Sequence, residues 1–164
     1  MAFREMRRHE RALAEAEARE ILARADYGVL ATAGEDGWPY AVPLNHVLIG
    51  DALYVHCAFE GHKLENIAHN ERVSYCAVAS ATVVPSMLST LYESAIVFGR
   101  AALVTDADEK RRALKLLTER FCGTGEETDK QFEEHMRKNR AGRDTAVIRI
   151  QIERITGKAH RAKA

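Results

Sequence analysis

The segment TAVIRIQIERITG, residues 145–157, alternates almost strictly, with Ile148, Ile150 and Ile152 on one side and Arg149, Gln151 and Glu153 on the other. A period of two is the signature of a strand with one buried and one wet face. That strand needs partners, and the sequence upstream supplies them. Tyr27 to Ala33, YGVLATA, leads through the turn composition Gly34-Glu35-Asp36-Gly37 into WPYAVPLNHVLIG, which reads as a first hairpin. Gly50-Asp51 marks a tight turn into a third strand from Ala52 to about Ala58. RVSYCAVAS and ESAIVFGRAALVT read as a fourth and a fifth, with Gly99 a point of bend or bulge. Between those two, VVPSMLSTLY reads either as a loop over the sheet or as a short interfacial segment.

Helical periodicity is confined to four places. Residues His9 to Ala25 are rich in Ala, Glu and Arg with apolar positions at helical spacing, and Asp26-Tyr27-Gly28 stops them. A short helix starts near Gly61 and stops near Asn70. Asp106 to Phe121 reads as an amphipathic helix ending near Gly123, and Glu127 to Arg140 as a more charged one. Most strand-to-strand links are too short for helical crossovers, so the pairing should be antiparallel. The fold class expected is mainly β: a small closed or split β-barrel of six or so largely antiparallel strands with flanking helices. At 164 residues this is one domain, its barrel made from residues 27–105 and 144–156.

Pro39 and Pro43 interrupt the second strand, each removing an amide donor, so one side of that strand should be free of pairing or bulged. Lys and Arg number 24, as do Asp and Glu, so no electrostatic footprint for nucleic acid exists and a bound anion must be held locally. The same neutrality weakens repulsion between copies. Cys57, Cys76 and Cys122 form no CxxC pair and read as reduced thiols. The charged N-terminus does not read as a signal peptide and no apolar run reaches membrane-spanning length, so the expected location is the cytoplasm.

Chemistry concentrates in EGHKLENIAHN. Leu64, Ile67 and Ala68 share a helical face, which places Gly61 at the helix start, where the first amides lack internal partners. With Lys63 and His62 adding charge, that turn can hold a phosphate; a plain glycine turn before a solvated helix start fits the same residues. His46, His56, His62 and His69 match no metal-ligand spacing. His56, in mid-strand, is either a hydrogen-bonded structural histidine or a contact to a bound ring. No GxSxG elbow and no GxGxxG loop occurs.

YGVLATAGEDGWPYAVPLN, ALYVHCAFEGHKLENIAHNERVSYCAV and YESAIVFGRAALV, taken in order, resemble the pyridoxamine 5′-phosphate oxidase-like superfamily of FMN-binding split barrels, in particular its nitroimidazole-resistance (Nim) type. The resemblance spans about Ala25 to Thr105. It implies a homodimer with two FMN sites at the subunit interface. Val42, Pro43, Leu44 and Asn45 would line the flavin ring through backbone groups, with His56, Cys57 and Ala58 beside them. Gly61, His62 and Lys63 would hold the FMN phosphate, and Ser94 would reach the cofactor from the partner subunit. His62 stands where the oxidases usually carry arginine, and Asn45 replaces a basic position. Their basic substrate pattern near the C-terminus is missing, which argues against pyridoxamine phosphate as substrate. The activity implied is an FMN-dependent oxidoreductase that passes electrons to a small electron-poor acceptor such as a nitroaromatic, with His56 as a substrate-side catalytic group. The alternatives are an FMN-binding storage or sensor protein without turnover, or the same barrel holding haem or a deazaflavin.

Overall fold

The computed structural model describes residues 3–138 and 145–162. In chain order the elements are β1 (Ala12–Leu13), α1 (Glu15–Arg24), β2 (Gly28–Ala33), β3 (Pro39–Leu44), β4 (Val47–Ile49), β5 (Ala52–Cys57), α2 (His62–His69), β6 (Arg72–Val84), β7 (Ser89–Leu103), α3 (Ala107–Cys122), α4 (Glu126–Lys138) and β8 (Ala146–His160). The strands form one antiparallel sheet in the order β3-β2-β6-β7-β8-β5-β4, with β1 added on β8.

The two edges of that sheet, β3 and β4, are neighbours in sequence, joined only by Asn45-His46. Six interstrand gaps of about 4.8 Å would hold the edges of a flat sheet about 29 Å apart. Three residue steps span about 10 Å at most. The sheet therefore has to curl until its edges meet, and the result is a half-barrel. Inside the curl lie Leu30, Leu53, Val55, Tyr75, Val97, Ile148 and Ile150, plugged from one side by Ile21 and Leu22 of α1. On the outer face a smaller cluster, Ala52, Tyr54 and Val147, packs with Val104, which follows β7, and under Ala113 of α3.

The alternation of β8 changes phase along its length. Ile148 and Ile150 are buried, whereas further on the buried positions are Ile155, Gly157 and Ala159. The cause is a bulge: Phe98 pairs with Arg154 but Gly99 with Ile152, so one residue of β8 is left over. Gly99 permits it, because a Cβ there would lie 2.2 Å from the Gln151 carbonyl oxygen. The bulge expected at Gly99 is thus present.

Four expectations need correction. WPYAVPLNHVLIG is not one strand: it leaves β2 at Leu44 and joins β5 from Val47, and this switch closes the barrel. The N-terminal helix is shorter than residues 9–25, because Ala12 and Leu13 pair with Lys158 and Gly157 of β8. VVPSMLSTLY is not a loop over the sheet: β6 and β7 run on as a hairpin arm around a turn at Pro85–Met87, with Leu88 in the left-handed region. The strand count is eight, owing to the split strand and β1. Residues 139–140 of the last expected helix and residue 144 of the last expected strand lie outside the described residues.

Candidate functional site

The site is assembled at the barrel rim from the ends of β3 and β5 and the start of α2. Gly61 caps α2 with φ +119°, a conformation that L side chains rarely adopt. Its carbonyl accepts the Leu64 and Glu65 amides at 2.9 and 3.3 Å. The amides of Gly61, His62 and Lys63 precede any intrahelical partner and form the positive end of the helix. Asn66, buried in α2, donates to Thr32 Oγ1 at 3.0 Å and pins the helix to β2. The first turn also carries Glu65, so a bound anion would depend on Lys63 and His62 for charge.

Three contacts join the segments. The Tyr40 ring of β3 lies 4.3 Å from the His62 ring. Lys63 is close enough to Cys57 to pull its thiol pKa down, although burial is larger and the net shift is upward. Asn45 and His56 line one cavity of about 320 Å³. Val42–Asn45, His56–Ala58 and Gly61–Lys63 therefore form one continuous region. β3 is an edge strand, paired on one side by β2 alone, with Pro39 and Pro43 on its exposed side and Tyr40, Val42 and Leu44 half-buried. The free edge expected from its prolines is present.

His56 and Cys57 point to opposite faces. Cys57 packs towards the barrel core, whereas His56 shares the outer face with Tyr54 and looks towards α3 and α4. Desolvation, and then the charge of His135, hold the His56 pKa below its ordinary value although part of the ring reaches solvent. Ser94 does not join the group: it sits on β7 between Val78 and Lys158, two strands from β5 and three from β3. Cys57 and Cys76 both have thiols raised by burial, against a nucleophilic role. Among the described residues no group of three potential metal ligands is assembled.

Sequence reasoning missed what supports the rim. His46 is fully buried, with Nε2 at 2.8 Å from the Leu22 carbonyl oxygen and Nδ1 at 2.9 Å from the Tyr75 hydroxyl. Tyr75 also donates to the Leu44 carbonyl at 2.5 Å. The carbonyl of Leu22 can only accept, so Nε2 carries the hydrogen. Asn45 donates to the Asp26 carbonyl at 2.8 Å, so its side chain braces the β3–β4 switch. Nothing in the local sequence around NHV distinguishes such a histidine from an exposed one.

A curled antiparallel sheet with an anion-ready helix start at its rim defines the flavin-binding split-barrel class. The pattern of the pyridoxamine 5′-phosphate oxidase family matches residues 14–159, and the chain belongs to that family. No curated protein matches the chain. Among solved structures it is similar to a candidate 5-nitroimidazole antibiotic resistance protein from Bacteroides thetaiotaomicron, at 24% identity over 90% of this chain and 85% of that one, with TM-score 0.73. It is also similar to an FAD-binding protein from Mesorhizobium loti, at 22% identity over 92% of this chain and 98% of that one, TM-score 0.66. A third, an FAD- and haem-binding protein from Mycobacterium smegmatis, is 21% identical over 91% of this chain and 72% of that one, TM-score 0.69. At such identities the likeness shows the fold alone. No helix among the described residues is long and apolar enough to cross a membrane.

Proposed function

We propose that the protein binds FMN at this rim and works as an oxidoreductase that delivers electrons to a small electron-poor acceptor. The observation that carries the reading is the convergence of an unpaired strand edge with the Gly61-capped start of α2 and Lys63. The donor set suits a phosphate: three amides at a helix N-terminus, the Lys63 ammonium, and His62 held against Tyr40. The backbone of Val42–Asn45 offers donors and acceptors to the edge of a flat heterocycle, while Tyr75 and Asn45 keep that backbone in place. Bound flavin supplies the redox chemistry. His56, kept neutral at pH 7, offers one N–H donor and one acceptor on the substrate side.

The reading includes a homodimer. Ser94 lies away from the rim of its own chain, so it contacts the cofactor only if supplied by a second copy. Val78, Val83, Met87, Leu88 and Ile96 leave apolar surface exposed on the β6–β7 arm, which suits burial against that copy.

The absorption spectrum of the purified protein tests the ligand: paired visible and near-ultraviolet flavin bands are expected, and a colourless protein that ignores added FMN would refute the reading. Lys63→Ala should weaken FMN binding about 10- to 100-fold, the worth of one charge-assisted hydrogen bond. Equilibrium dialysis showing unchanged affinity would return Gly61–Lys63 to an ordinary helix start. Reoxidation of reduced protein by added acceptors separates an enzyme from a carrier, and sedimentation measures the dimer.

A further inference from the structure

The cavity at the end of β5 borders the flavin rim through Asn45 and His56, and most of its other described walls come from α3 and α4. Leu114, Leu117 and Phe121 of α3 and Phe132 and Met136 of α4 form its apolar walls, and His56 closes it from the sheet side. At about 320 Å³ it stands at the small end of ligand pockets, which run about 300–1,000 Å³. That is room for a single-ring compound.

Its described lining contains no Lys, Arg, Asp or Glu. Two cations of the α3–α4 hairpin are engaged with carboxylates: Arg111 with Glu133, and Lys115 with Asp129. Arg120 donates to the Ala25 carbonyl. A carboxylate or phosphate entering the cavity would give up water and meet no permanent cation, only the imidazoles of His56 and His135, so anions are disfavoured. Two polar groups of the lining are also committed, Asn45 to Asp26 and Thr118 to the Leu114 carbonyl. His56 makes no hydrogen bond among the described residues, and its ring is near enough to His135 to feel that charge.

We infer that the cavity between α3, α4 and the end of β5 binds a small uncharged aromatic compound, its ring against Phe121 and Phe132 and its acceptor atom on the His56 N–H. α4 thereby becomes the specificity element of the site, because Phe132, His135 and Met136 all come from it. This deepens the proposed function, resting on His56 as the substrate-side group, and it excludes phosphorylated substrates from that side.

The test uses acetophenone and 4-acetylbenzoate, a neutral ketone and its carboxylate counterpart, neither of which needs turnover to be detected. Saturation-transfer NMR on the full chain should show acetophenone bound at least tenfold more tightly than the carboxylate, with imidazole resonances of His56 shifting. Met136→Trp should abolish binding by filling the cavity, and His56→Ala should weaken it about tenfold; thermal melts of both variants verify folding. Wild-type protein that ignores acetophenone, equal binding of the carboxylate, or unchanged binding in folded Met136→Trp would each overturn the inference. The visible spectrum of the same samples keeps the flavin reading separate: ketone binding to protein that takes up no FMN refutes the flavin site alone, and flavin-loaded protein with an indifferent cavity refutes the cavity alone.

Discussion

Acidification should destabilise this protein through His46, well before the carboxylates titrate. His46 is enclosed between the Leu22 carbonyl and the Tyr75 hydroxyl, and desolvation pushes its pKa down to about 4 from the ordinary 6.5. An opposing effect exists. In the neutral form one Tyr75 hydrogen faces two acceptors, Leu44 O and His46 Nδ1, whereas an imidazolium would donate to Tyr75 and leave its hydrogen for Leu44. Burial should still win, because a charge without a carboxylate partner inside an apolar core costs several kcal/mol while the extra bond returns about 1. With the folded pKa below the unfolded one, the unfolded state binds more protons between the two. Stability is then complete above about pH 6.5 and falls as the pH drops towards 4. At about 1.4 kcal/mol per pH unit the loss amounts to about 3 kcal/mol. Urea unfolding of wild type and His46→Asn across that range measures it: the variant should be weaker at neutral pH but flatter, and the difference between the curves isolates His46. Ring NMR gives a direct reading, with His46 remaining neutral to about pH 4. A His46 that titrates at 6.5 or above, or two curves that fall in parallel, would refute the argument in favour of the three-bond imidazolium.

Tyr75→Phe keeps the ring but leaves His46 Nδ1 and the Leu44 carbonyl short of a donor, which should cost about 2–4 kcal/mol by denaturant unfolding. It should also loosen the β3–β4 switch, read as faster amide exchange at Asn45 and His46. Gly28→Ala places a Cβ 2.2 Å from a Tyr75 ring carbon, so a loss of about 1–3 kcal/mol from overpacking is expected; a neutral melt would mean the ring can shift freely. Asp106→Ala removes the carboxylate that accepts the Glu109 amide at 2.7 Å, and about 1 kcal/mol should go with it. Because α3 walls the cavity beside His56, the same variant should bind acetophenone less tightly than wild type.

Much of this was legible in the residues. Periodicity located the strands, since burial of one face imposes the period of two whatever the neighbours are. Pro39 and Pro43 announced an edge strand, Gly99 a bulge, and Gly61 a helix cap, because each residue type answers a local backbone demand. The grouping of Gly61, His62 and Lys63 beside β3 followed from the family resemblance, and the structure brings these segments to one rim.

The misses share a cause. Ala12–Leu13 has helical composition but pairs with Gly157, where the absence of a side chain lets α1 and β1 come close: a Cβ there would lie 2.8 Å from the Ala18 Cβ and 3.0 Å from the Leu13 Cβ. The cap that α3 and α4 place over His56 likewise joins segments more than fifty residues apart in sequence.

Local pattern alone thus located most of the strands and several of the residues that bend or end them, because those choices are made by backbone sterics and the burial of one face. Only the tertiary structure decided that Asn45-His46 closes the barrel, that His46 and Tyr75 lock this closure from within, and that α4 shapes the chamber beside His56. Each of those depends on which distant segment a side chain meets, and hydrophobic alternation is the same whichever partner it finds.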